Sequence, residues 1–259
     1  MTTLERDGVK LAYQTAGSGD RSPFVFVHGW TCNRSYFAPQ FDHFAGRGHR
    51  VVAIDLRGHG ESDAPQGDYT IAGFADDVAW MCVQLGVQQP IVVGHSMGSM
   101  VAAELARSFP HLPKAIVMVD AAPMLVTSEL QGLLDGVVQQ LAGPDHDATR
   151  RAFLENMLFL PTDDADIKAR IVAEMTAAPR HVAQSCMEAM NRFDGAAALE
   201  ALKVPALHIA AAQPINDAAA LRAANPLIET AQTVGAGHFN QLVVPDQVNA
   251  MIERFTRSM

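Results

Sequence analysis

The sequence predicts an α/β fold, in which a mostly parallel sheet carries helices on both faces and one all-helical segment interrupts the alternation. Two observations favour this fold. Short runs rich in Val and Ile alternate with segments of helical periodicity, an order typical of a parallel sheet covered by helices. The runs are nearly continuous rather than alternating in polarity, as expected for strands buried on both faces.

The predicted strands follow an opening hairpin. Asp7-Gly8, between two short extended runs, is a dipeptide that favours a tight turn. Six later runs are predicted as strands, at residues 23–28, 50–55, 90–94, 115–120, 205–211 and 229–234. Residues 71–85 and the C-terminal segment have the three- and four-residue apolar spacing of amphipathic helices, and residues 97–109 are a further helix candidate.

The stretch from residue 123 to residue 199 contains helical patterns and no convincing strand. Four helices are predicted there, near 127–141, 148–159, 164–177 and 180–192. We expect this stretch to be a helical cap, or lid, inserted into a core made of residues 1–122 and 200–259. It holds five of the 12 methionines, a residue that fills irregular apolar space. These side chains indicate either an apolar pocket ceiling or the cap's own core.

Composition and charge narrow the class of protein. A length of 259 residues fits one α/β unit, and a net charge of -9 argues against nucleic acid or an anionic membrane as partner. Three scattered cysteines indicate free thiols in a reducing compartment. The first residues lack the apolar stretch of a signal peptide, and no run reaches membrane-spanning length. We therefore expect a cytoplasmic protein that acts on a small-molecule substrate. The sequence leaves its oligomeric state open, and a homo-oligomer is one alternative.

The strongest motif is Gly94-His95-Ser96-Met97-Gly98, which directly follows a predicted strand and precedes a predicted helix. A serine in so sharp a turn needs small neighbours two residues away on each side, and glycine supplies them. The turn presents the Ser96 hydroxyl above the sheet edge. At the start of the next helix, the N–H of Met97 is free to meet a developing oxyanion. This pattern predicts a nucleophile.

With this motif and three others, the sequence resembles the α/β-hydrolase superfamily from about residue 8 to residue 257. The other motifs are His28-Gly29-Trp30, the loop from Asp55 to Ser62, and Gly235-Ala236-Gly237-His238-Phe239. The resemblance implies the α/β-hydrolase fold, with a mostly parallel eight-stranded sheet, helices on both faces and a helical cap. It also implies that Trp30 and Met97 supply the oxyanion-hole N–H groups from their backbones.

His238 is the predicted general base among ten histidines. It follows a strand, lies in a glycine-rich loop and comes after the serine, as the family's chain order requires. We take six further residues as candidates for substrate contacts. For the two histidines among them, the alternative is that they form hydrogen bonds that only stabilise the local structure. They are His28, His95, Met124, Met157, Met187 and Phe239.

The acid that should orient His238 departs from the family's usual pattern. Pro214 falls where most relatives carry the acid, and Asp217 lies three residues later. Asp120, at the end of the strand 115–120, resembles the position that supplies the acid in some haloalkane dehalogenases and in cofactor-free ring-opening dioxygenases of the same fold. We favour Asp120 and keep Asp217 as the alternative.

Three functions are therefore open. The first is hydrolysis of a small, largely apolar ester, thioester, lactone or activated ketone through an acyl-enzyme on Ser96. The second resembles the cofactor-free dioxygenases that open a 3-hydroxy-4-quinolone ring, although those enzymes carry histidine where this chain has Met97. The third is a non-catalytic small-molecule receptor. Neither a cofactor nor a metal is expected, since no H-E-x-x-H motif and no phosphate-loop motif occurs.

Overall fold

The computed structural model describes residues 2–257 and 259. Within these residues the strands form one sheet in the order β1-β2-β4-β3-β5-β6-β7-β8. From β3 onward the pairings are parallel, while β1 with β2 and β2 with β4 are antiparallel. The strands are β1 (Thr2–Arg6), β2 (Val9–Ala16), β3 (Arg21–Val27), β4 (His49–Ile54), β5 (Ile91–His95), β6 (Ala115–Val119), β7 (Ala206–Ala210) and β8 (Ile228–Gln232). The predicted mostly parallel, eight-stranded sheet is confirmed.

The hairpin between β1 and β2 turns at Asp7-Gly8. Both residues have positive φ, 51° and 79°, and Arg6 pairs directly with Val9 across the turn. Two central residues with positive φ match the right-handed twist of the flanking strands, which is why this dipeptide favours a hairpin.

Helices cover both faces of the sheet, as predicted. The helices of this core are α1 (Ala38–Gly46), α2 (Ile71–Gln84), α3 (Met97–Ser108), α9 (Ala218–Ala224), α10 (Asn240–Val243) and α11 (Pro245–Thr256), with a 3₁₀ helix at Arg34–Phe37. On one face, Phe24 and Phe26 of β3 pack with Phe44 of α1 and Ile252 of α11. The other face holds the larger apolar cluster, to which α2 and α3 contribute.

Between β6 and β7 the chain forms a helical insertion, the name used below for residues 123–199. Its helices are α4 (Ser128–Ala142), α5 (His146–Met157), α6 (Ala165–Thr176), α7 (Arg180–Asn191) and α8 (Gly195–Glu200). The first four lie where the sequence predicts helices. The short α8 was not expected from the sequence; Asp194 caps it by accepting from the N–H of Ala197 at 3.0 Å. Of the described helices, none has the length and apolar character that crossing a membrane requires.

Candidate active site

Ser96 occupies a strained turn between β5 and α3. Its φ of 53° and ψ of -118° lie outside the regions that a residue with a side chain normally adopts. Both flanking glycines are sterically required. A Cβ on Gly94 would lie 2.0 Å from the carbonyl oxygen of Gly98, and a Cβ on Gly98 would lie 2.1 Å from that of Val27. The turn geometry predicted from the sequence is therefore present, and Ser96 is half-buried at the rim of the sheet.

His238 is held by Asp120. The Nδ1 of His238 donates to Oδ2 of Asp120 at 2.6 Å, and the backbone N–H of Ala211 donates to Oδ1 of the same carboxylate at 2.8 Å. Asp120 directly follows β6 and Ala211 directly follows β7, so two adjacent strand ends fix the carboxylate. Because Nδ1 carries the proton in this bond, Nε2 of neutral His238 is left with a lone pair that can accept a proton.

Asp217, the alternative acid, does not serve His238. Its carboxylate accepts from the N–H of Ala220 at 2.7 Å and so caps the N-terminus of α9. The side chain is exposed on the surface. The geometry favours Asp120, since this carboxylate from the end of β6 is bonded to Nδ1 of the histidine.

The turn that carries Ser96 and the loop that carries His238 lie side by side and are linked by a hydrogen bond. Both residues line one cavity, and Nε2 of His95 donates to the carbonyl oxygen of His238 at 2.9 Å. Burial holds the pKa of His95 well below its usual range, so its ring is a neutral donor. Among the described residues, the Ser96 hydroxyl makes no hydrogen bond; in unliganded enzymes such bonds are often long and tighten only with substrate.

The oxyanion donors implied by the resemblance lie beside the serine. Trp30 lines the cavity, and Met97 is the first residue of α3, so its N–H has no acceptor within the helix. The Met97 side chain is buried in the core and does not line the cavity. Thr31, Ser96 and Asp120 all have positive φ, a clustering of backbone strain that is common at functional sites.

The cavity has a volume of about 420 Å³ and lies between the core and the helical insertion. Its walls are mainly apolar, as in most small-molecule sites. None of the described residues that line it is Lys or Arg. The insertion contributes Pro123, Leu130, Leu133, Leu134, Val137, Val138, Phe153, Met157, Leu158, Phe159, Leu160, Met175, Met187, Met190 and Asn191.

Four of the six predicted substrate contacts line this cavity. They are His95, Met157, Met187 and Phe239. His28 and Met124 do not line it, and each makes structural contacts instead.

The His28 ring is fully buried. Its Nε2 accepts from the N–H of Leu56 at 3.1 Å and its Nδ1 donates to the oxygen of Gly29 at 2.8 Å. Met124 is turned into the core, where its N–H donates to Oδ1 of Asn216 at 2.8 Å.

Met175 and Met190, two of the five insertion methionines considered as a pocket ceiling, line the cavity. Other lining residues were not singled out from the sequence. They are Met100 and a stripe on α4 that includes Leu134 and Val138. Apolar spacing predicts such a stripe but cannot distinguish a wall that faces a cavity from one that faces a core. Cys32 also lines the cavity. Burial raises the pKa of its thiol, which disfavours the reactive thiolate.

Comparison with known proteins agrees with this fold. The sequence profile described as the alpha/beta hydrolase fold matches residues 22–244. A bifunctional esterase/perhydrolase of Acinetobacter calcoaceticus is 36% identical over 126 residues, which are 48% of this chain and 46% of the relative. The chain spans about half the length of this and other curated relatives that it matches.

Two further proteins are similar along nearly their whole length. The 3-oxoadipate enol-lactonase 2 of Acinetobacter baylyi is 25% identical over 256 residues, covering 97% of this chain and 94% of the relative. In structure, a thermophilic esterase of Thermogutta terrifontis superposes with a TM-score of 0.84 at 24% identity, covering 99% of this chain and 96% of that one. The second similarity concerns the fold alone.

Proposed function

The chain belongs to the α/β-hydrolase fold family, and we propose that it hydrolyses small, neutral, largely apolar esters or lactones through a Ser96–His238–Asp120 triad. The observation that carries this proposal is the 2.6 Å bond between His238 and Asp120 at the cavity that Ser96 also lines. Relatives named esterase/perhydrolase and enol-lactonase favour the same class of reaction.

The proposed mechanism assigns each group one task. Nε2 of His238 takes the proton as Oγ of Ser96 attacks the carbonyl carbon, and Asp120 stabilises the resulting imidazolium. The backbone N–H groups of Trp30 and Met97 hold the oxyanion of the tetrahedral intermediate. Collapse of the intermediate expels the alcohol, which takes the proton from His238. His238 then takes a proton from water as the water attacks the acyl-enzyme, and it returns that proton to Oγ of Ser96 when the second intermediate collapses and releases the acid.

The walls of the cavity support the choice of substrate class. Apolar side chains of α4, α5 and α7 contribute much of its lining, and no cation among the described lining residues is present to pair with a substrate carboxylate. Burying an unpaired charge in such surroundings is costly. In this proposal the helical insertion acts as a cap that binds the acyl or alcohol chain, while the core supplies the reacting groups.

Labelling with a fluorophosphonate tests the proposal. The probe phosphonylates an activated serine, so intact mass should show one adduct and peptide mapping should place it on Ser96. Ser96→Ala should take up no label, and His238→Ala should label far more slowly because the hydroxyl loses its base. An unlabelled wild-type protein would contradict the proposal and would favour a receptor or a dioxygenase.

One observation favours a second candidate, cofactor-free dioxygenation. Asp120 lies at the end of β6, the position that supplies the acid in the ring-opening dioxygenases this sequence resembles. Mixing the protein with a 3-hydroxy-4-quinolone in a sealed vessel distinguishes the two activities. Oxygen uptake with release of carbon monoxide, undiminished in Ser96→Ala, would establish the second activity in place of the first.

A further inference from the structure

The loop that carries His238 is bonded to the helical insertion as well as to the core. The N–H of His238 donates to the carbonyl oxygen of Leu158 at 3.1 Å, and the N–H of Gly237 donates to Oδ1 of Asp163 at 3.2 Å. The other oxygen of Asp163 accepts from the N–H of Leu160 at 2.8 Å. One carboxylate therefore bridges the turn after α5 and the histidine loop. Asp163 and Gly237 are 74 residues apart in the sequence.

The two segments approach closely at position 237. A Cβ there would lie 2.6 Å from Oδ2 of Asp163 and 3.1 Å from the oxygen of Leu158. The 2.6 Å contact is to the carboxylate, so a larger residue at position 237 would displace the Asp163 side chain from its present position. The bonds from Asp163 and Leu158 depend on this approach.

We infer that Asp163 is a positioning residue for His238; the inference rests on the proposed function, in which His238 is the base. The imidazole is oriented at Nδ1 by Asp120, yet the backbone of the histidine must also be fixed. Its carbonyl is held by His95 from the core, and its N–H by Leu158 from the insertion. Asp163 fixes the preceding peptide and the turn that presents Leu158.

Substrate contacts converge on the same turn. Leu158, Phe159 and Leu160 all line the cavity, so a bound substrate packs against the segment that holds the base. A displacement of about 1 Å in a reacting group can lower the rate by about 100-fold. Asp163 thereby links the part of the cavity that binds substrate to the residue that moves the proton.

Two substitutions of Asp163 and one of its neighbour test this role. Asp163→Ala removes both acceptors, whereas Asp163→Asn keeps one. Asp164→Ala is the matched control, because Asp164 caps α6 by accepting from the N–H groups of Asp166 and Ile167. All three change one carboxylate of the same turn, but only Asp163 reaches the histidine loop among the described contacts.

On a p-nitrophenyl hexanoate substrate, we expect Asp163→Ala to lower kcat by about 10- to 100-fold with KM changed less than about twofold. Asp163→Asn should fall between Asp163→Ala and the wild type, and Asp164→Ala should stay within about twofold of the wild type. Backbone hydrogen exchange across residues 235–239 should become faster in the Asp163 variants alone, because the N–H groups of this loop lose their hydrogen bonds to the insertion.

Equal kcat for Asp163→Ala and Asp164→Ala would overturn the inference. An equal loss in Asp163→Ala and Asp163→Asn with unchanged exchange would also overturn it, because the charge alone would then explain the loss. If Asp163→Ala fails to fold, the kcat and the hydrogen exchange of Asp163→Asn test the inference in its place. Fluorophosphonate labelling separates this inference from the proposed function. If Ser96 is labelled in the wild type and equally fast in the Asp163 variants, this inference is refuted and the proposed function stands.

Discussion

Helix α3 of the core and helix α4 of the insertion are buried to very different extents. Ten of the 12 residues of α3 are buried, whereas α4 buries only Leu141 among its 15 residues. The apolar side chains of α4, such as Leu134 and Val137, are half-buried and face the cavity. A closely packed frame suits groups that need fixed geometry, and a loosely packed wall suits substrates of varied shape. In the proposed function, the core supplies the chemistry and the insertion selects the substrate.

The largest effect should come from the core's carboxylate. Asp120→Asn should lower kcat/KM for a p-nitrophenyl ester by about 10⁴-fold, because His238 would lose the partner that fixes its tautomer and stabilises its cation. Asp217→Asn, which weakens only the cap of α9, should stay within about twofold. Steady-state kinetics on both variants check this prediction. The reverse order would show that the acid is not on β6.

Truncating one apolar side chain in each region compares their packing directly. Phe24→Ala, in the core beneath α1, should lower the free energy of unfolding by about 3–5 kcal/mol. Leu134→Ala, on the cavity side of α4, should lower it by about 1 kcal/mol or less and instead raise KM for longer acyl chains. Urea denaturation and kinetics on both variants make the comparison. Equal losses of stability would show that the insertion is packed as closely as the core.

The absence of Lys and Arg from the described lining residues predicts discrimination against charged substrates. A p-nitrophenyl ester of hexanoate should be hydrolysed with a kcat/KM at least about 100-fold higher than the matching monoester of adipate, whose terminal carboxylate would be buried without a partner. Comparable values for the two esters would show that the distal end of the chain remains in water.

The core should also show a pH dependence of its free energy of unfolding. Burial lowers the pKa of His28 to about 4 and that of His59 to about 3, while the unfolded chain titrates near 6.5. Below pH 6.5 the unfolded state therefore binds more protons, and stability falls as the pH decreases toward these values.

Each histidine should contribute a slope of about 1.4 kcal/mol per pH unit within that window. Unfolding of the wild type and of His59→Asn, measured from pH 7 to pH 4.5, should show a shallower slope for the variant. Identical slopes would contradict the assignment for His59.

Much of the core could be predicted because its signals are local. Continuous apolar runs give the strands, and the glycines at 94 and 98 give the turn at Ser96 because any side chain there would meet a backbone oxygen. The choice between Asp120 and Asp217 was not local. It depends on the distance from two loops to one imidazole, and on Asp217 being engaged as a helix cap.

The insertion was harder to predict in detail. Met124 and Met187 are both methionines of the insertion, yet Met124 is buried away from the cavity and Met187 lines it. Nothing near Asp163 in the sequence indicates its bond to Gly237, because the partner lies in a distant loop. Contacts between segments far apart in the sequence leave no periodic pattern.

Trapping the acyl-enzyme tests most directly the claim that the core carries the chemistry on Ser96. Wild-type protein mixed with a p-nitrophenyl ester and acid-quenched within milliseconds should carry the mass of one acyl group, mapped to the peptide that contains Ser96, with a burst of nitrophenol of matching size. Undiminished turnover without an adduct on Ser96, or an adduct on another residue, would contradict the account.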